Sequence, residues 1–427
     1  VMSFNCYNLD FKGFSKQIEN ITGKKIIHTI EEHGFKAYAV GGCIRDSILG
    51  RNPDDWDITT SAVPSQIKTF FKRTVDTGIA HGTVTIMIDK TGYEVTTYRI
   101  DGEYEDGRHP KSVEFSDRLV DDLCRRDFTI NAMAYNDTDG FVDEFKGLDD
   151  LDAKIIRCVG EPELRFTEDA LRMMRAIRFS AQLGFTINEA TWSAIKKLAP
   201  SISKISMERV HVELGKTLMS AHPDYVAEYS EAGLFEPILP VVDNALKSRY
   251  NKKILAILRH VPDNIYLRYA ALFITSTPDE AAKTLRALKL DNKTVDTVSK
   301  LVELSKIDIE ETEPAVRTAL NKYGRDFLPL WHELMMAVLQ ASEDIIGISN
   351  PAKVKHLLTL KRLATDILAR GDCFTIKDLD ISGNDLIEYG LQGHEIGETL
   401  KSLLDIVIEN PKLNDKATLI AMIEHIK

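Results

Sequence analysis

"GGCIRDSILGRNPDDWDITT", residues 41–60, decides the fold. The glycine pair follows a strand-like run, "KAYAV" (36–40), and "DWDITT" reads as a second strand. Side chains alternate faces along a strand, so Asp55 and Asp57 project from one side while Trp56 points to the other. Two aspartates held in parallel repel each other unless a cation lies between them. By itself a D-x-D is just as well an acidic turn leading into a strand.

Three neighbours change that reading. Gly41 and Gly42 let backbone amides approach a phosphate, and a helix starting at Cys43 aims its positive end at the same place. Arg45 adds a charge-assisted donor for a triphosphate. A third acid, Glu94 in "YEVTTYR" (93–99), lies on a later strand whose pairing brings it beside the aspartates, although it also reads as an exposed acid on a hairpin. The donor set suits Mg²⁺, which takes one or two carboxylates and keeps its other positions for water and substrate phosphates.

Working outward, "TVTIMI" (83–88) and "YEVTTY" (93–98) are β-branched segments, and "DKTG" between them reads as a hairpin turn. Residues 13–34 repeat apolar positions at helical spacing and end at Gly34. After residue 160 strand signals nearly vanish. Residues 167–185, 188–199, 314–324 and 352–372 are amphipathic helices separated by Gly, Pro or Asp breaks.

At 427 residues the chain is too long for one ordinary core. It lacks a run of about 18 apolar residues of the kind that crosses a membrane. Its first residues lack the pattern of a secretory signal, so the expected location is cytoplasmic. Five cysteines without C-x-x-C spacing argue against a disulfide framework or a structural zinc site and read as reduced thiols. The net charge of −11 weighs against nonspecific nucleic-acid binding, so any nucleic acid must meet a local basic surface.

The run from residue 39 to 62, then "TGIAHGTVTI" (77–86), "YEVTTYR", "RHPKSVEF" (108–115), "DLCRRDFTINAMAY" (122–135) and "TEDALRMMRAIRFSAQLGF" (167–185), resembles the class II tRNA nucleotidyltransferases, the bacterial CCA-adding enzymes and their poly(A) polymerase relatives. "ISGNDLIEYGLQGHEIGETLKSLL" (381–404) resembles the family's tail. The resemblance implies an α+β chain with a polymerase-β-like nucleotidyltransferase head (1–160) and an elongated all-α arm. The arm divides into a base-reading neck (161–223), a body (224–320) and a tRNA-binding tail (321–427). It implies Asp55 and Asp57 as metal ligands for Mg²⁺, with Glu94 as the third catalytic carboxylate. The reaction it implies is two-metal addition of C, C and A to the 3′ end of tRNA from CTP and ATP, with release of pyrophosphate. An enzyme adding A only, a poly(A) polymerase and a non-catalytic RNA-binding protein are the alternatives.

Thr167 is expected to cap a helix whose first turn carries Glu168 and Asp169. Asp169 and Arg172, three apart, share a face and set an acceptor beside donors. Cytosine and adenine each present an exocyclic amine beside a ring-nitrogen acceptor, so such an edge pairs with C or A and is mismatched to U or G. Arg175 and Arg178 continue the basic stripe, which reads equally as a solvated face; the family pattern carries them to the nucleotide. Gly42, Arg45 and Arg126 are likewise expected at the nucleotide, with Asp127 and Asn131 at the ribose; an Arg-Arg pair before Asp also reads as a helix-end ion pair. The polar loop 99–119 is expected to move on the surface, and its presence favours full CCA addition within the family. The arm is expected to read the tRNA acceptor arm by shape, through phosphates and 2′-hydroxyls. "KVKHLLTLKR" (353–362) is one candidate contact, or a solubilising helix face. The oligomeric state is left open, a homodimer included.

Overall fold

A computed structural model of the chain describes residues 21–53, 55–102 and 113–426. These fall into two compact units, one ending at Pro240 and one beginning at Val241. The boundaries expected at 160 and 223 lie within the first unit, and the one at 320 within the second.

In the first unit, helix α1 (Ile21–Glu32) buries Ile26, Ile27 and Ile30, the stripe expected from the sequence; residues 13–20 lie outside the described part. Strand β1 (Ala37–Val40) is buried throughout. Helix α2 (Gly42–Ile48), β2 (Ile58–Thr60) and α3 (Pro64–Phe70) follow, then β3 (Thr74–Gly78), β4 (Thr83–Ile88) and β5 (Thr91–Thr97). The β4–β5 hairpin turns on Asp89 and Lys90, both at positive φ (47° and 68°), a twist that matches the flanking strands. β6 (Arg99–Asp101) pairs antiparallel with β7 (Val113–Phe115). Residues 103–112 between them, part of the segment 99–119 expected to be mobile, lie outside the described residues. Helix α4 (Leu119–Cys124), β8 (Ala134–Asn136), β9 (Gly140–Val142), α5 (Gly147–Asp152) and β10 (Ile155–Ile156) complete the α/β part.

The main sheet runs β3-β4-β5-β2-β1-β8-β9. β1 pairs antiparallel with β2 (Ala39↔Ile58) and β8 (Ala39↔Tyr135), and β2 pairs parallel with β5 (Ile58↔Val95). β2 starts one residue after Asp57, so Asp55 and Asp57 stand in the segment entering the strand and not on the strand itself. Val40 N–H still donates to the Asp57 carbonyl at 3.0 Å, which extends the β1 pairing to that residue.

The single helix expected within 167–185 is two. α6 (Pro162–Glu168) stops where Asp169 turns extended (φ −147°, ψ 103°), and α7 (Leu171–Leu183) starts two residues later. Thr167 caps neither: its hydroxyl donates to the Glu163 carbonyl at 2.7 Å inside α6. β11 (Thr186–Ile187) pairs parallel with β10, and α8 (Glu189–Leu198), α9 (Met207–Leu218) and α10 (Val226–Glu231) follow. Met173, Met174, Ala176 and Ile177 of α7 and Val210 and Leu214 of α9 are buried, the two helices packing on each other.

Every regular element among the described residues of the second unit is a helix. α11 (Pro240–Lys247), α12 (Asn251–His260), α13 (Ile265–Leu272), α14 (Pro278–Ala287) and α15 (Asn292–Leu304) precede α16 (Glu313–Tyr323), α17 (Phe327–Ile346) and α18 (Pro351–Arg370). α19 (Gly383–Glu388), α20 (His394–Glu409) and α21 (Lys416–Ile426) close the chain. Local chemistry starts these helices: Thr277, Asp291, Thr312, Asn350 and Ser382 each accept an N–H of the first turn. Arg317, fully buried, ties the last helices together by donating to the Ile408 carbonyl at 2.7 Å and pairing with Asp372 at 2.9 Å. No described helix is long and apolar enough to cross a membrane.

Candidate active site

A recess of about 650 Å³ opens in the first unit where β1 gives way to α2. Gly41 makes the turn with φ 81° and ψ −130°, a conformation open to glycine and costly to other residues. A Cβ there would lie 2.9 Å from Nη1 of Arg126, whereas a Cβ at Gly42 would meet only Arg45 Nη2, at 3.6 Å. The steric constraint therefore falls on Gly41.

Asp55 and Asp57 line the recess, and Trp56 turns the other way, into a separate cavity of about 370 Å³ with Ala39, Ile58 and Tyr135. Asp57 is accessible, yet the surrounding protein pushes its carboxyl up; Arg126 opposes that and Asp55 adds to it. Glu94 is also raised, by partial burial first and then by the charges of Asp57 and Asp55. Three acids thus feel one another, and Glu94 lies outside the lining of the recess. Among the described residues no three His, Cys, Asp or Glu side chains gather closely enough to hold a metal on protein ligands alone. The repulsion, only partly offset by Arg126, fits a divalent cation on two carboxylates with its other positions given to water and phosphate.

Around this pair the arginines are already ion-paired. Arg45 bonds Asp46 through Nε (2.9 Å) and Nη2 (2.8 Å), and Asn131 Oδ1 through Nη1 (2.6 Å). Arg125 and Arg126 pair with Asp122, the helix-end ion pair that the sequence left open, with an acid upstream and not with Asp127. Burial would raise the Asp122 carboxyl, but the two guanidiniums, Arg126 first, hold it low. Arg126 Nε is buried and without a partner.

Asp127 takes a hydrogen bond from Arg175 Nε (2.7 Å) and one from Asn131 Nδ2 (3.1 Å). Burial pushes its carboxyl up, and Arg175 and the Asn131 amide override this and hold it well below the usual range. Arg178 Nε is 2.9 Å from Glu213 Oε2 without hydrogen-bond alignment. Far from a solvated face, the Arg175 and Arg178 guanidiniums pack with that of Arg45 around the ring of Phe179, at 5.4, 4.0 and 5.0 Å.

A second recess, about 260 Å³, is lined by Arg126, Asp127, Asp169, Arg172, Arg175 and Arg209, among others. It shares the wall of Arg126, Asp127 and Arg175 with the first. Asp169 and Arg172 both line it, but they do not pair with each other. Arg209 grips Asp169 with Nη1 (3.2 Å) and Nη2 (2.7 Å), and Leu171 N–H adds a bond to Oδ1 at 3.1 Å. Arg172 is fixed by Glu168 and by the carbonyls of Arg165 and Arg125. The structure therefore gathers Gly42, Arg45, Asp55, Asp57, Arg126, Asp127, Asn131, Arg175 and Arg178 in one recess, and Asp169 and Arg172 in its neighbour.

With this geometry established, three family descriptions match the chain. They are "Poly A polymerase head domain" over residues 37–157, "Probable RNA and SrmB- binding site of polymerase A" over 184–246, and tRNA nucleotidyltransferase domain 2 over 264–423. A CCA-adding enzyme of Leuconostoc mesenteroides is 34% identical over 93% of this chain and 94% of its own length. One from Levilactobacillus brevis is 36% identical over 94% and 96%. The chain belongs to the CCA-adding enzyme family. The crystal structure of the CCA-adding enzyme of Bacillus stearothermophilus in complex with CTP superposes with a TM-score of 0.73 at 32% identity, covering 94% of this chain and 96% of that one. A Thermotoga maritima CCA-adding enzyme complexed with tRNA shares the fold at 20% identity, with a TM-score of 0.61 over 97% and 98% of the two chains. The nucleotidyltransferase head followed by helices, the α+β class expected from the sequence, is the fold of this family.

Proposed function

We propose that this chain adds C, C and A to the 3′ end of tRNA, taking CTP and then ATP, without a nucleic-acid template and with pyrophosphate as the leaving group. The observation that carries the reading is the shared wall. Arg126, Asp127 and Arg175 join a recess holding paired carboxylates to one holding an acceptor and donors fit for a base edge.

Asp55 and Asp57 would hold Mg²⁺. The metal would supply Lewis-acid activation of the 3′-hydroxyl and charge stabilisation at the phosphate. Arg45 and Arg126 present guanidinium edges to the phosphates, oriented in advance by Asp46, Asn131 and Asp122. Asp169 offers the acceptor for the exocyclic amine. A carboxylate has about four lone-pair directions. Leu171 and Arg209 take three of those on Asp169, which leaves one on Oδ2 for the base. Facing U or G, the same oxygen would meet a carbonyl, a mismatch of about 1–3 kcal/mol. Arg172, immobilised by two carbonyls, supplies the donor side.

The test is incorporation into tRNA ending before CCA, with each labelled nucleotide alone and in pairs, in Mg²⁺. The expected result is arrest after two C when ATP is omitted, and no product from Asp57→Ala despite retained tRNA binding. Long A tails would favour the poly(A) polymerase reading, a single A from ATP alone the A-adding one, and no incorporation by the unmodified chain a non-catalytic RNA-binding protein.

A further inference from the structure

The larger recess contains two cations that the ion pairing described above leaves out. Arg45, Arg126, Arg175 and Arg178 each have a carboxylate partner. Lys216 of α9 lines the same recess, is exposed, and has no hydrogen-bond, ion-pair or ring partner among the described residues. Arg51, also on the lining, makes one long bond to the Gln182 carbonyl (3.4 Å) and meets no carboxylate among the described residues.

Lys216 also has unusual neighbours. Arg209, Val212, Lys216 and Met219 recur at spacings of three and four, so they form one stripe along α9. Val212 is 43% exposed and Met219 40% exposed, and Met219 is itself on the recess lining. One end of the stripe, Arg209, belongs to the base-reading recess and the other, Lys216 and Met219, to the carboxylate recess. The base of an incoming nucleotide is given to the smaller recess, and its triphosphate, anionic throughout, gains little from exposed aliphatic side chains. A ribose-phosphate chain offers both an anion and apolar sugar and base faces.

We propose that Lys216, with Val212 and Met219 beside it and Arg51 on the same lining, seats the sugar-phosphate backbone at the 3′ end of the RNA being extended. This rests on the proposed function and deepens it: the paired arginines serve the incoming nucleotide, and the unpaired cations serve the acceptor strand. Lys216 would contact a phosphodiester oxygen close to the terminal hydroxyl and so fix the strand's register relative to Asp55 and Asp57.

The experiment measures binding of a fluorescent tRNA transcript ending before CCA to the full chain, without nucleotide, at several salt concentrations. Each phosphate contact on a single strand contributes about 0.7 to the slope of log affinity against log salt. Lys216→Gln is expected to weaken binding at 50 mM salt, with a deficit that shrinks by about 2.6-fold at 200 mM, that is, fourfold more salt raised to the power 0.7. Lys216→Arg should keep the unmodified slope. Met219→Ser should weaken binding with the slope unchanged, and KM for CTP should be unaltered in Lys216→Gln. A Lys216→Gln slope equal to that of the unmodified chain would overturn the proposal. So would a raised KM for CTP with tRNA affinity intact, which would assign the lysine to the triphosphate. The slope is read without turnover, so a failure here is distinct from a failure of the unmodified chain to incorporate C and A.

Discussion

Replacing Gly41 by alanine should damage both fold and site, while the same change at Gly42 should not. At Gly41 the backbone is held at φ 81° and ψ −130°. Forcing a residue with a Cβ into such a region costs about 1–3 kcal/mol. The new methyl would also stand 2.9 Å from Arg126 Nη1 and so displace a guanidinium whose Nη2 bonds Asp122 at 3.1 Å. Because Nη1 is the flexible end of its side chain, the guanidinium moves at small cost, and the backbone cost of about 1–3 kcal/mol dominates. Gly42 is the first residue of α2, and its added methyl would make only ordinary contact at 3.6 Å. There alanine is neutral or stabilising by up to about 1 kcal/mol. Urea unfolding followed by Trp56 and Trp192 fluorescence, in a Trp331→Phe background, isolates the first unit. With a slope of about 3 kcal/mol per molar urea, Gly41→Ala should lower the midpoint by about 0.3–1 M. CTP affinity should fall with it, because Arg126 has moved. A Gly41→Ala chain with the midpoint and CTP affinity of Gly42→Ala would refute the assignment of the turn.

Two further predictions rest on single contacts. Arg209→Ala leaves the Asp169 carboxylate free to swing, so the preference for CTP over UTP in kcat/KM should fall by about tenfold or more, equivalent to 1.4 kcal/mol; steady-state incorporation measures it, and an unchanged ratio would dissociate Arg209 from base choice. Burial, aided by Glu231 and Asp224, pushes the Glu228 carboxyl up from 4.5 to about 7. Its folded value lies above its unfolded one, so its contribution is complete below 4.5 and is lost as pH rises through 7. Glu228→Gln, neutral throughout, should therefore raise stability at pH 8 relative to pH 5 by about 1–3 kcal/mol compared with the unmodified chain, as read from thermal unfolding at the two values.

Much of the head was legible because its signals are local. Alternation along the sequence sets Asp55 and Asp57 against Trp56, and the two-residue hairpin is visible in "DKTG", although the turn itself falls on Asp89 and Lys90. What escaped has partners far along the chain. Arg209 and Glu213 belong to a helix that reads as ordinary amphipathic sequence, and only packing against α7 gives them Asp169 and Arg178 as partners. Phe179 looks like core and is core, yet three guanidiniums collect on its ring. The break at Asp169 was hidden because helical periodicity continues across it. At the break the Asp169 carboxylate is held by Leu171 N–H and by Arg209, forty residues away, and periodicity contains no term for either contact. For the same reason the stripe of Arg175 and Arg178 could be read from local sequence alone as a solvated face: the neutralising acids at positions 127 and 213 that make burial of arginine tolerable lie far along the chain.

The indole between the two acids has a consequence for anyone redesigning this protein. Asp55 and Asp57 make no side-chain hydrogen bonds among the described residues, so their aim depends on the backbone that carries them, which Val40 N–H pins at the Asp57 carbonyl. Trp56, lodged on the far side of the sheet with Ala39, Ile58 and Tyr135, acts as the keel. Trimming it to a small residue would leave both carboxylates in the molecule and still loosen their aim, and a screen confined to the charged residues of the recess would miss the cause.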